Sequence, residues 1–257
     1  MSIYNVRLYD YDGTQQVRIY KKPVTRKEYH IEKPKIDKQN DSKSNDRSSE
    51  AAEHSKQVSQ NRTKQVVYEL TRSNRWDWFI TLTFDPDKID RSNYELLLAT
   101  VRKWFNNIKQ RKAPAMKYII IPELHQDGVN YHFHGLLADA YGLEFLDSGI
   151  IDKSGKNVYN IPDFRYGFTT ATRVESSQKA AAYITKYITK ELEVTIKGKR
   201  RYLASRNCKR ADIYEYNMTP EEKDDILFQI SQDITYMNTQ HISPAGQLIN
   251  YVELQKS

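Results

Sequence analysis

The chain contains one cysteine, Cys208, in 257 residues. A disulfide framework and a cysteine-built zinc cluster are therefore both excluded within it. Long apolar runs are also missing, since none approaches the ~20 residues that a membrane-spanning helix requires. The opening "MSIYNVRLYDYDG" lacks the charged-then-apolar pattern of a secretory leader. These absences lead to the expectation of a soluble, cytoplasmic chain with no membrane partner. No internal repeat is visible. No G-x-x-x-x-G-K-[ST] phosphate loop occurs either, and the nearest approach, "SGKN", lacks both the glycine spacing and the Ser/Thr.

What is abundant is basic charge and tyrosine. Lys and Arg number 40 against 33 Asp and Glu, a formal net charge of +7, which favours a polyanionic partner. The 19 tyrosines are ordinary sheet residues or stacking surfaces for bases.

The length suits one substantial core with appendages. Residues 1–34 begin with "NVRLYDY" and "QQVRIYKK" joined by "DGTQ", an N-terminal strand segment. Residues 35–57 are almost wholly polar and read as a disordered linker merging into a helix near residue 55. The main domain is expected over 58–205, and a helical C-terminal extension over 206–257. Within the main domain, "WDWFITLTF" alternates strictly, with Trp76, Trp78, Ile80, Leu82 and Phe84 on one face and Asp77, Thr81 and Thr83 on the other. A helix ("NYELLLATVRKWFNNIKQ"), a buried strand ("MKYIIIPE"), the turn "LHQDGVN", the strand "YHFHGLLA", a loop with a small excursion, the strand "GFTTATRV" and the helix "SQKAAAYITKYITKELE" follow. That order predicts an α+β fold: a mostly antiparallel sheet with helices on its faces, ferredoxin-like or RRM-like.

In "YHFHGLL" the two-residue period of a strand puts His132 and His134 on one face and Tyr131, Phe133 and Gly135 on the other. If "LHQDGVN" closes an antiparallel hairpin, Glu123 lies across from the two histidines. Two imidazoles and one carboxylate could then hold a divalent ion with positions left open, although a solvated His-x-His is the alternative. His125, in the loop, reads as solvated. A second feature is "YITKYITK", residues 183–190. On a helix Tyr183, Lys186, Tyr187 and Lys190 share a sector of roughly 100°, while Ile184 and Ile188 lie outside it. Packing tyrosines and solvated lysines would explain that pattern as well as chemistry does. For attack on phosphorus a phenol of pKa ~10 needs help, which a metal on the phosphate and a nearby lysine supply.

In order, "FITLTF", Glu followed by "HFH", and "YITKYITK" resemble the three motifs of HUH endonucleases of the replication-initiator type, as in rolling-circle initiators of bacterial plasmids and single-stranded DNA phages. The resemblance covers about residues 75–192. It implies that His132, His134 and Glu123 bind Mg²⁺ or Mn²⁺, and that Tyr183 forms a 5′-phosphotyrosyl bond while freeing a 3′-OH. By the same resemblance Lys186 matches the motif lysine, Lys190 its repeat, and Tyr187 a second nucleophile; single-tyrosine relatives carry the same Tyr-x-x-Lys. Thr81 and Thr83 fall in a motif associated with DNA engagement. The implied partners are single-stranded DNA at a replication origin, a host helicase and a DNA polymerase. An HUH transposase or relaxase, and a noncatalytic RRM-like single-stranded nucleic-acid binder, are the alternative readings. The basic clusters 197–202 and 206–210 could contact phosphates or simply be solvated.

Overall fold

The computed structural model describes residues 2–26, 45–176, 179–181, 183–184, 201–242 and 247–255. The chain is α+β, with two mostly antiparallel sheets in two compact units. One unit comprises residues 1–53 and 210–257, the other 54–209.

The first unit is built from β1 (Ser2–Asp10), β2 (Thr14–Arg26), β10 (Asp212–Tyr216), β11 (Ile234–Ile242) and β12 (Gln247–Gln255), in the sheet order β10-β1-β2-β12-β11. The β1–β2 hairpin turns at Gly13, whose φ of 82° costs glycine little. Val6, Val17, Ile19, Val252 and Leu254 form one buried face, with Leu227 and Ile230 packed against it. Leu227 belongs to a helix at Pro220–Gln229. That helix starts where "TPEE" predicts, because Thr219 and Glu222 form a reciprocal capping box. Residues 206–257 thus hold three strands and this helix, not the helical extension expected. Their alternation is weak because exposed polar residues occupy much of β11, so the sheet they complete was invisible locally.

The second unit carries the candidate site. It takes in the end of α1 (Asn45–Arg72), β3 (Trp78–Phe84), α2 (Tyr94–Arg111), β4 (Lys117–Leu124), β5 (Tyr131–Ala138), β6 (Leu146–Ile151), β7 (Asn157–Asn160), β8 (Gly167–Arg173) and the short β9 (Leu203–Ala204). Helix α1 begins well before residue 55, inside the segment expected to be a linker. The sheet order is β6-β7-β8-β3-β5-β4-β9. Its centre, β8-β3-β5-β4, has the strand order of a ferredoxin-like sheet, with α2 crossing from β3 to β4. The return from β5 to β8 runs through the β6–β7 hairpin rather than a second helix.

Apolar residues on both sides fix this sheet. On one side Ile80, Leu82, Phe133 and Leu137 are buried against Leu97, Val101, Phe105 and Ile108 of α2. On the other, Ile119, Ile121 and Leu136 pack with Val67, Leu70, Ala180 and Ile184. Trp76 falls in this second cluster, not with Trp78 as the alternation suggested. The strand starts only at Trp78, and the Trp76 indole donates to the Thr71 carbonyl at 2.8 Å. Pro122 is tolerated inside β4 because β9 pairs only with Ile119 and Ile120, so no ladder bond needs its missing N–H. At Gly135 the backbones come close. A Cβ there would run into the Ile119 carbonyl oxygen and the Ile120 side chain.

Gly135→Ala should therefore force β4 and β5 apart. A destabilisation on the order of 1–3 kcal/mol is expected, read as a lowered Tm, and an unchanged Tm would show that the two strands can absorb the methyl.

Candidate active site

The expected hairpin is present. Strands β4 and β5 pair antiparallel with Glu123 opposite His132 and Ile121 opposite His134. The turn is locked by Asp127, whose carboxylate accepts from the backbone N–H of Val129 at 2.8 Å and of Asn130 at 2.9 Å. Gly128 supplies a φ of 71°. Those hydrogen bonds, led by Asn130, hold the Asp127 carboxyl far below the usual carboxylate range.

Cross-strand register builds the site row by row. Across β8, β3, β5 and β4, one row on one sheet face reads Phe168, Thr83, His132, Glu123. The next reads Thr170, Thr81, His134, Ile121, and the third Thr172, Phe79, Leu136, Ile119. Each histidine thus has a threonine as its neighbour on β3. Thr81 Oγ1 lies 3.0 Å from His134 Nδ1, and Thr83 Oγ1 lies 3.2 Å from His132 Nδ1. With Nδ1 held by a hydroxyl, Nε2 of each ring is left for a further partner. For His134 that partner is Glu123, whose Oε2 stands 2.6 Å from Nε2. The two threonines are therefore histidine-orienting groups, a role not read from sequence. The signal was there in the two alternations, Thr-x-Thr and His-x-His, once β3 and β5 are known to be neighbours.

Burial pushes the His132 imidazole below its ordinary pKa, reinforced by His125, His134 and Arg91 and opposed by Glu123. A neutral imidazole is the form that ligates a metal. His125 is exposed, as expected, but it is not isolated. Its ring centroid lies 4.8 Å from that of His132, and its Nδ1 is 3.3 Å from Asp127 Oδ2. Arg91, from the loop before α2, joins His125 and His132 around a small cavity of about 100 Å³. No local pattern in the sequence singles out Arg91.

Tyr183 comes to the same face. Residues 179–181 and 183–184 are helical; Ile184 is buried in the sheet-facing cluster, whereas Tyr183 is 46% exposed. Phe79 links it to the histidines, stacking on His134 with centroids 6.0 Å apart and receiving the edge of Tyr183 at 4.8 Å. Lys186, Tyr187 and Lys190, and residues 197–200 of the first basic cluster, lie outside the described residues. Among the described residues no three His, Cys, Asp or Glu side chains stand grouped as a metal site, because Glu123 is closed onto His134.

Residues 77–192 match the family described as Replication-associated protein ORF2. The match is consistent with a rolling-circle replication protein, and it contains Thr81, Thr83, Glu123, both histidines and Tyr183. No curated protein and no solved structure matches the chain. No described helix is long and apolar enough to cross a membrane.

In this replication-associated segment, replacing Thr83 by Val should free His132 Nδ1 and let the ring populate both tautomers. Long-range ¹H–¹⁵N spectra of the imidazole report this directly. A single unchanged tautomer in Thr83→Val would show that the hydroxyl does not set the ring.

Proposed function

We propose that the chain is a metal-dependent DNA nicking and strand-joining enzyme of the HUH type that initiates rolling-circle replication. The observation that supports it most is the meeting, on one sheet face of the segment matching replication-associated proteins, of two threonine-oriented histidines, Glu123 and Tyr183.

The donor set fits a divalent cation. Two neutral imidazoles and a carboxylate suit Mg²⁺ or Mn²⁺ when water and substrate oxygens complete the shell. Adjacent ligands of an octahedral ion, at ~2.1 Å each, stand about 3 Å apart. The 2.6 Å between Glu123 Oε2 and His134 Nε2 therefore needs to open only slightly. His132, His134 and Glu123 would hold the ion. Its chemistry there is to polarise the scissile phosphate and offset charge on its oxygens.

The chain's own residues do the rest. Thr81 and Thr83 keep both Nε2 atoms presented, and Phe79 fixes the spacing between His134 and the nucleophile. The Tyr183 phenol oxygen attacks phosphorus, the bond to the 3′ oxygen breaks, and that oxygen leaves as a 3′-OH after taking a proton. The product is a 5′-phosphotyrosyl enzyme. One phosphoester has been exchanged for another, so a later 3′-OH can reverse the step and join strands without a nucleotide. Lys186 and Lys190 are assigned to phosphate neutralisation and Tyr187 to a second attack. A host helicase and polymerase would open the duplex and extend the 3′-OH.

Tyr183→Phe should abolish the covalent protein–DNA adduct formed on labelled single-stranded origin DNA with Mn²⁺, resolved on a denaturing gel. Adduct lost only when Tyr187→Phe is added would assign an alternating pair, and adduct persisting in the double variant would place the nucleophile elsewhere. His132→Ala combined with His134→Ala should remove cleavage and Mn²⁺ binding by calorimetry together. Normal cleavage in that variant would rule out the metal assignment.

A further inference from the structure

A cavity of about 620 Å³ opens beside Tyr183, between β8, the β6–β7 hairpin and the helical residues 179–184. Its inner wall is apolar, from Phe79, Val158, Ala180 and the Tyr183 ring, and the hydroxyls of Thr170 and Thr172 lie among them. Lys153, Lys156 and Lys179 also border it.

The hairpin side is rigidly built. Asp152 Oδ1 accepts from the backbone N–H of Ser154 at 2.8 Å and of Lys156 at 2.9 Å. Gly155 takes a φ of 83° at the turn. Lys156 reaches back to the Arg173 carbonyl at 3.2 Å and to Glu175 at 3.4 Å, tying β7 to the end of β8. Asp152 is thus occupied within its own turn and Glu175 faces Lys156, which leaves Lys153 and Lys179 as exposed cations at the cavity.

Size and lining together restrict the occupant. The volume falls in the ~300–1,000 Å³ range of pockets that enclose a small organic group, far more than a metal ion or one phosphate fills. A flat apolar group edged with hydrogen-bonding atoms and followed by a phosphate matches the lining, and that describes a nucleotide. Thr81, which holds His134, also borders the cavity, so the occupant would be covalently close to the phosphate that Tyr183 attacks. On the same strand and the same face, Phe168 is 67% exposed beside Thr83, an aromatic surface on which a neighbouring base can stack.

We infer that this cavity receives one base of the single-stranded DNA substrate, extruded next to the scissile phosphate, and so sets base preference at that position. This rests on the nicking function proposed above. Thr170 and Thr172 read the base edge, Phe79 and Val158 pack its face, and Lys153 and Lys179 hold the flanking phosphates.

The test is fluorescence anisotropy on labelled single-stranded 12-mers of dT, dC, dA and dG and on an abasic 12-mer, with a chelator present to prevent cleavage. Wild type should bind at least one homopolymer about tenfold more tightly than the abasic strand, the scale of one base contact. Thr170→Trp, which fills the cavity from an exposed strand position, should remove most of that difference and leave abasic binding, a phosphate effect, intact. The double variant Thr170→Ala with Thr172→Ala adds no bulk; it should flatten the ranking among the four homopolymers. An unchanged preference in both folded variants overturns the base pocket while leaving the nicking function standing. Failure of wild type to bind any of the strands, together with no adduct on origin DNA, overturns both.

Discussion

The site depends on the register of β5 between β3 and β4. Because side chains alternate along a strand, a slip of one residue would carry both imidazoles into the α2 core and bring Phe133 and Gly135 out. Two forces oppose such a slip, and their sizes differ. Each Thr–His hydrogen bond contributes about 0.5–1.5 kcal/mol net. Burying a side chain such as Phe133, Leu136 or Leu137 contributes about 1.5–3 kcal/mol each, and these three are fully buried. The apolar faces therefore decide the register, and the polar row follows from it.

That division explains how so polar a cluster is tolerated on a buried sheet. The side chains of His134 and Glu123 are only 11% and 16% exposed, an environment in which an unpaired polar group costs free energy. Each ring nitrogen facing the protein has a hydroxyl partner, and the nitrogen facing outward on His134 has a carboxylate. Burial then works in favour of ligation at His132, since it disfavours the protonated ring. The aromatic Phe79 serves both sides of the site, as a wall for His134 and a rest for Tyr183.

Much of this was legible in the sequence because it followed from period-two alternation. The face shared by His132 and His134, the turn at Gly128 and the placement of Glu123 opposite the histidines need only the strand and hairpin rules. The split between Ile184 and Tyr183 likewise follows from helical period. Pairing between strands distant in sequence was harder to see. Thr81 and Thr83 become partners of the histidines only once β3 is placed beside β5, with α2 and β4 intervening. Arg91 and the β6–β7 hairpin reach the site through loops, where local pattern carries little information. The residues after 206 gave a helix signal at "TPEE" but no signal that their strands complete a sheet begun by residues 2–26.

That last pairing has a consequence for how the chain is made. The 54–209 unit is contiguous, so every strand of its sheet has left the ribosome before residue 210 is added. The other sheet places β12 directly against β2, joining segments more than two hundred residues apart. Closing so long a loop is slow, and here it cannot start until the final strand is synthesised. The unit that holds the histidines can therefore assemble co-translationally, while β1 and β2 wait as an incomplete hairpin with an open edge. During that interval the hairpin is the part of the nascent chain most exposed to mispairing.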